Sequence, residues 1–319
     1  MKREKNIFDF DLVIQAWVYW MERFRRKTRL WFSTASFHEP RPTRDLFAPG
    51  SAASRGIYQQ EALASGLSLS PSEINEFKDR GWVGSYPLLT PRGVRLSLKA
   101  HDRTRGNFVA LKPDAVVPPN AAPLWFKSQH AFLREFYDLA RHPAIVERVA
   151  SLLGPDLLAW SFTLNSYFPG KIHPWHVDVE HLQWSGVSVF LGLQNTTMRS
   201  TLKVINGSQR ILRSPKEFGV VDDESALAAC LKMDPGAELV PVPVREGEFF
   251  IFDGPLWHGS KNTSFRTRSA AIIQYCRPDQ KVMAPMSYDN PPQWHPEPPA
   301  CILVKGGDRF GINRVVDRP

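Results

Sequence analysis

The 319-residue sequence is poor in cysteine. Its three cysteines, Cys230, Cys276 and Cys301, form no CxxC pair, so neither a disulfide framework nor a cysteine-built zinc cluster is indicated, and a reducing cytoplasm is the natural setting. No apolar run approaches the ~20 residues that a membrane-spanning helix needs. Near the start, Asp9 and Asp11 interrupt the stretch in which a secretory signal would need unbroken apolar residues, so secretion is not expected. Internal repeats and DNA-reading motifs are also missing. So is any block of like charge: the net charge of +8 arises from 40 Lys and Arg against 32 Asp and Glu, spread along the chain. Such a surface suits solubility or an anionic small substrate, and gives no specific nucleic-acid footprint.

What is present points to one substantial core. The chain is 43% hydrophobic, and its 27 prolines argue against an all-helical bundle, because Pro interrupts helix interiors. Residues 12–32 have helical periodicity, with Trp17, Trp20, Phe24 and Trp31 close to one face and Arg23, Arg25, Arg26, Lys27 and Arg29 crowding the second half. They read as an N-terminal arm packed on the main domain, or alternatively as an interfacial helix peripheral to an anionic membrane. Residues 33–70 read as linker. Ser70-Pro71-Ser72-Glu73 then predicts a capped helix running to about Asp79 and stopping near Gly81. A second helical stretch is expected over 127–153, broken at His142-Pro143 and ended by Gly154-Pro155. Beyond 155 the texture changes to short strand-like runs: 158–167, 186–193, 201–205, 239–244, 248–252 and 269–276. Turn residues separate them, as in a barrel or sandwich. The expected fold is mainly β with flanking helices, its β-core at about 155–280, and an irregular Pro-rich segment at 281–300.

The sharpest local feature is His173-Pro174-Trp175-His176-Val177-Asp178. On an extended strand, residues i and i+2 share a side, so His176 and Asp178 can meet one ion while Val177 faces the core. An imidazole and a carboxylate suit Fe(II), and a second His would complete a two-His-one-carboxylate triad. A second feature, Glu246 to Phe252, reads as turn and strand and leads into Gly254-Pro255-Leu256-Trp257-His258-Gly259-Ser260. In a double-stranded β-helix, a His late in the chain can reach back to a metal held by an early strand. Arg268, ten residues after His258, precedes the apolar run Ala270 to Ile273. A buried Arg there could bind a carboxylate with its planar fork. His181, three residues past Asp178, is expected on the other face of the strand. Trp175, Trp184 and Trp257 flank these positions and read equally as core or as cavity wall.

These segments together resemble the phytanoyl-CoA dioxygenase-like branch of the iron/2-oxoglutarate oxygenases. The likeness runs from Leu69 to Pro278 through LSPSEINEFKDRGWV, HPAIVERVASLLGPDLLAW, YFPGKIHPWHVD, LKVINGSQR and REGEFFIFDGPLWHGSKNTSFRTRSAAIIQY. The resemblance implies a double-stranded β-helix (jelly-roll, cupin-like) core with N-terminal helices packed outside. It also implies Fe(II), 2-oxoglutarate and O2 as cofactors. Position by position, His176, Asp178 and His258 match the family's iron ligands, and Arg268 matches the partner of the distal carboxylate of 2-oxoglutarate. Ser260 matches a nearby hydroxyl, and Thr163 and Phe190 match pocket-lining positions. The implied reaction is hydroxylation of a C–H bond in a small biosynthetic, lipid or acyl-type substrate, with release of succinate and CO2. Related halogenases lack the carboxylate that Asp178 retains. Two departures stand out: Tyr167 where relatives often carry Lys, and Asn206-Gly207-Ser208-Gln209 where they usually carry Pro-Gly-Ser-His. The expected division is an N-terminal helix and linker (1–68), the oxygenase domain (69–280) and a C-terminal extension (281–319). Two rival readings are a cupin-type metalloenzyme that does not use 2-oxoglutarate, and a non-catalytic module on the same fold held at a membrane through residues 12–32.

Overall fold

The computed structural model describes residues 56–59, 67–110, 127–131, 133–178, 185–284, 294 and 298–316. The basic segment 12–32, His181, Trp184 and most of 285–297 lie outside these described residues.

Helix α1 (Pro71–Arg80) forms where the capping residues require it. Ser70 and Glu73 make a reciprocal capping box, Pro71 occupies the first turn, and Gly81 closes the helix in the left-handed region at φ 84°. That conformation is cheap only for glycine. The next residues enter β1 (Trp82–Pro87), followed by α2 (Pro91–Ala110), a helix for which the sequence reading gave no expectation. The stretch expected to be helical from 127 starts later. Residues 129–131 form a single 3-10 turn, and Ser128 bridges Phe162; regular helix begins with α3 (Arg134–Ala140) and resumes in α4 (Pro143–Leu153). The break falls at His142-Pro143 as expected. There His142 caps α4, its Nδ1 accepting the Ala144 N–H at 3.2 Å, and Pro143 takes the first helical position.

The β elements are β2 (Leu157–Tyr167), β3 (Ile172–His176), β4 (Gly186–Gln194), β5 (Lys203–Asn206), β6 (Glu238–Pro241), β7 (Glu248–Asp253), β8 (His258–Lys261), β9 (Arg268–Cys276) and β10 (Ile302–Lys305), with α5 (Asp223–Leu231) between β5 and β6. They pair into a six-stranded sheet, β1-β7-β4-β9-β2-β10, and a four-stranded sheet, β3-β8-β5-β6. Adjacent strands in both sheets run antiparallel. The result is the jelly-roll architecture. Strand β10 pairs with β2, so part of the 281–319 segment is built into the larger sheet.

The larger sheet is buried on both faces, which explains why Phe249-Phe250-Ile251-Phe252 is apolar without interruption. Alternate side chains point to opposite faces. Phe249 and Ile251 pack outward with Phe136, Ile145 and Val149 of the helices. Phe250 and Phe252 point inward with Phe190, Leu202 and Val204. Phe136 stacks on Phe162 at 4.4 Å between ring centroids, tying α3 to β2. The helical layer therefore braces the sheet from outside and leaves its inner face for the site.

Candidate metal centre

Strands β3 and β8 pair so that His176 lies directly opposite His258. Their ring centroids are 4.1 Å apart, although 82 positions separate them in the chain. Strand β3 ends at His176, and the chain turns just enough for Asp178 to rejoin the cluster, with its N–H bonded to the Gly254 carbonyl at 3.0 Å. Val177 is buried, as the i/i+2 argument expects. Asp178 Oδ1 lies 3.7 Å from His176 Nε2 and 3.5 Å from His258 Nε2, and the three donor atoms sit within 4.8 Å of one another.

Backbone acceptors set the histidine tautomers. His176 Nδ1 is 2.8 Å from the Pro174 carbonyl, and His258 Nδ1 is 2.8 Å from the Leu256 carbonyl. A carbonyl only accepts, so each Nδ1 carries the hydrogen and each Nε2 lone pair faces inward. Ser188 donates to Asp178 Oδ2, which leaves Oδ1 turned toward the two rings. Burial, reinforced by His258 and His173, holds His176 well below its ordinary pKa, and so neutral. Burial alone would raise Asp178, but the adjacent His258 and His176 overcome it and hold the carboxyl well below the usual carboxylate range. Two imidazole nitrogens and one carboxylate oxygen form a mixed N/O donor set suited to a divalent metal such as Fe(II), and the donor chemistry fits that group.

Beside the donors lies a cavity into which Asp178, His258 and His173 project. From β9 come Arg268, Ala270 and Ile272, and from β2 Asn165 and Tyr167; the register pairs Tyr167 with Arg268 and Asn165 with Ala270. Arg268 is only 3% exposed, so its burial is as expected. Its Nη2 donates to Ser260 Oγ at 3.1 Å, and its guanidinium carbon stands 4.5 Å from the Tyr167 ring and 5.7 Å from that of Phe190. Its Nε is buried with no partner among the described residues. Burial lowers its pKa to about 10, so it is still a cation at neutral pH. A buried, partly unsatisfied guanidinium facing a cavity is the feature a carboxylate ligand would complete.

Of the residues singled out from the sequence, His176, Asp178 and His258 converge, Arg268 and Ser260 meet at one end of the same cavity, and Phe190 lines it. Thr163 is buried on the same face of β2 two residues before Asn165, but does not line the cavity. Trp175 and Trp257 are packing residues behind the donors. Trp257 Nε1 donates to the Arg213 carbonyl at 2.8 Å, and Trp175 Nε1 donates to Asp223 at 3.1 Å. Asn165 and Ser188 went unnoticed in the sequence. Each sits two residues from an inward-facing neighbour, so period-2 alternation was the signal that could have found them.

The family described as phytanoyl-CoA dioxygenase matches residues 110–270, half of the chain. The chain belongs to the phytanoyl-CoA dioxygenase family. Among solved structures, the nickel complex of the non-heme monooxygenase ThoJ superposes with a TM-score of 0.56 at 22% identity, covering 77% of this chain and 88% of that one. CytC3 with Fe(II) and alpha-ketoglutarate gives 0.56 at 17% identity over 80% and 95%. The apo form of EctD from S. alaskensis gives 0.52 at 22% identity over 74% and 88%. At these identities the likeness speaks for the fold, the cupin-like jelly roll of phytanoyl-CoA dioxygenases. No curated protein matches the chain. Among the described residues, no helix is long and apolar enough to cross a membrane.

Proposed function

We propose that this protein is an Fe(II)- and 2-oxoglutarate-dependent dioxygenase that hydroxylates an unactivated C–H bond of a small-molecule substrate. The observation that carries the reading is the pairing of the His176–Asp178–His258 cluster with a buried, incompletely satisfied Arg268 in one cavity. His176, Asp178 and His258 would hold Fe(II). Arg268, steadied by Ser260 and Tyr167, would receive the distal carboxylate of 2-oxoglutarate, with Phe190 flanking the cosubstrate. When bound, the metal with its keto-acid cosubstrate supplies the O2-derived oxidant, and succinate and CO2 leave as the cosubstrate's products.

The protein's own residues then have three tasks. The backbone carbonyls of Pro174 and Leu256 keep both Nε2 lone pairs presented. Ser188 orients the Asp178 carboxylate by binding the oxygen that does not face the rings. Phe190, Phe252 and Ile272 give the cavity apolar walls, which limit water around a reactive centre. Because Asp178 supplies a third protein ligand, hydroxylation is favoured over halide transfer.

The reading is tested under anaerobic conditions. Fe(II) with 2-oxoglutarate should give a visible charge-transfer band if the keto acid chelates the metal at its open positions. His176→Ala, Asp178→Ala and His258→Ala should each lose the band and abolish succinate formation. A ligand variant that retains wild-type turnover would end the proposal.

A further inference from the structure

One half-buried cation, Lys127, has no task in the scheme above. Lys127 lies just before the short 3-10 turn, and its ammonium reaches the inner face of the larger sheet from outside the strands. Among the described residues its hydrogen bond is to Gln274 Oε1 at 3.1 Å, and it stands 5.3 Å from the centroid of the Trp160 ring. The side chain is deep enough that burial lowers its pKa against the opposing pull of Asp178. The residue nevertheless keeps some accessible surface.

Its surroundings are polar at a depth where the neighbouring faces are apolar. Gln274 pairs in register with Ser161 on one side and with Ser188 on the other, and all three are buried. Among the described residues, Ser161 Oγ has no hydrogen-bond partner. Ser188 Oγ donates to Asp178, so this polar group abuts the metal site directly. An ammonium has three donors, of which Gln274 takes one among the described residues. An oxyanion would complete the group, and Asp178 is already committed to Ser188 and the histidines.

That anion is not the cosubstrate. Arg268 and Gln274 lie on the same face of β9, six residues apart, which is roughly 20 Å along a strand. A five-carbon diacid chelated at the metal and held by Arg268 does not extend to the far end. The triad thus sits between two cations, one at each end of the inner face, and only one of them has been assigned.

We propose that Lys127, with Ser161 and Gln274, forms the recognition site for an oxyanion carried by the substrate, which anchors it so that a C–H bond lies over the metal. The substrate class is then a small molecule bearing a carboxylate or phosphate, and Lys127 is a specificity-determining residue. This assignment rests on the oxygenase reading above.

The test uses the full chain loaded anaerobically with Fe(II) and 2-oxoglutarate. Calorimetry measures binding of graded straight-chain carboxylates, the phosphate monoesters of the same chains, and their uncharged primary amides. In the wild type, one oxyanion series should bind at least roughly tenfold tighter than the amides, and which series does so identifies the source of the charge. Lys127→Met should abolish that preference without changing the affinity for 2-oxoglutarate, and Lys127→Arg should restore it in part. A wild type that does not distinguish oxyanions from amides overturns the proposal, with no variant needed. So does a Lys127→Met protein whose 2-oxoglutarate requirement rises, because Lys127 would then serve the cosubstrate. Absence of the charge-transfer band in the wild type would count against the oxygenase reading, while the oxyanion preference would still be read independently.

Discussion

Arg268→Met isolates the cosubstrate end of the cavity. Methionine approximates the stem of arginine and removes the fork. Each charge-assisted hydrogen bond to a carboxylate contributes about 1.5–3 kcal/mol. Two such bonds would be lost, while Ser260 and Tyr167 remain and water partly returns to the carboxylate. The net loss is then ~3 kcal/mol, or roughly 150-fold weaker 2-oxoglutarate binding. The stability of the free protein should change little. Substitution leaves Ser260 Oγ without its 3.1 Å partner and ends the stacking on Tyr167, but it also removes a buried charge whose Nε is unsatisfied, and these effects oppose each other. Anaerobic titration of the Fe(II) charge-transfer band gives the affinity, and thermal unfolding of the metal-free protein gives the stability. Arg268→Lys, which keeps the charge without the fork, should fall between, at roughly tenfold. A shift below about threefold for Arg268→Met would refute the assignment of this end of the cavity to the distal carboxylate.

Metal binding should appear as stabilisation without any turnover. Anaerobic Fe(II) at about 100 times its Kd should add about 2.7 kcal/mol to the wild type and nothing to Asp178→Ala; an equal rise in the variant would place the metal elsewhere. Acid sensitivity follows from His130 and His142, which burial depresses to about 4 from the ordinary imidazole value of 6.5. The unfolded chain binds the extra protons first, so their contribution is complete above the unfolded value and is lost as pH falls toward the folded one. The cost approaches about 2 kcal/mol per group. Urea midpoints at about pH 7 and about pH 4.5 measure it. His142→Asn, which keeps a capping acceptor that does not titrate, should flatten part of the slope, and a midpoint independent of pH across this range would contradict the account.

Local chemistry was legible wherever a few adjacent residues decide the outcome. The Ser70/Glu73 capping box, the Gly81 stop and the His142-Pro143 break could each be read directly, because caps and breakers act within one helical turn. The His176-x-Asp178 spacing suggested a metal face for the same reason. Helix α2 (Pro91–Ala110) carries no acid in its first turn and no base in its last, but its start was legible in Thr90-Pro91, where Thr90 Oγ1 accepts the Gly93 N–H at 3.2 Å. The segment at 127–131 departed from helix because Ser128 bridges Phe162, a contact fixed by packing rather than by periodicity. Strand β10 also went unread, since its partner lies far back in the chain at β2.

By itself the sequence determined the capped helices, most strands of the β-core, the apolar faces and the residue types able to bind a divalent metal. Only the tertiary structure decided that His176 stands opposite His258, that Ser188 restrains Asp178, and that Arg268 and Lys127 occupy opposite ends of one inner face. The physical reason is range. Propensity and capping act over a few residues, whereas strand register and the burial of a charge depend on partners scores of residues away, and these meet only when the sheets close.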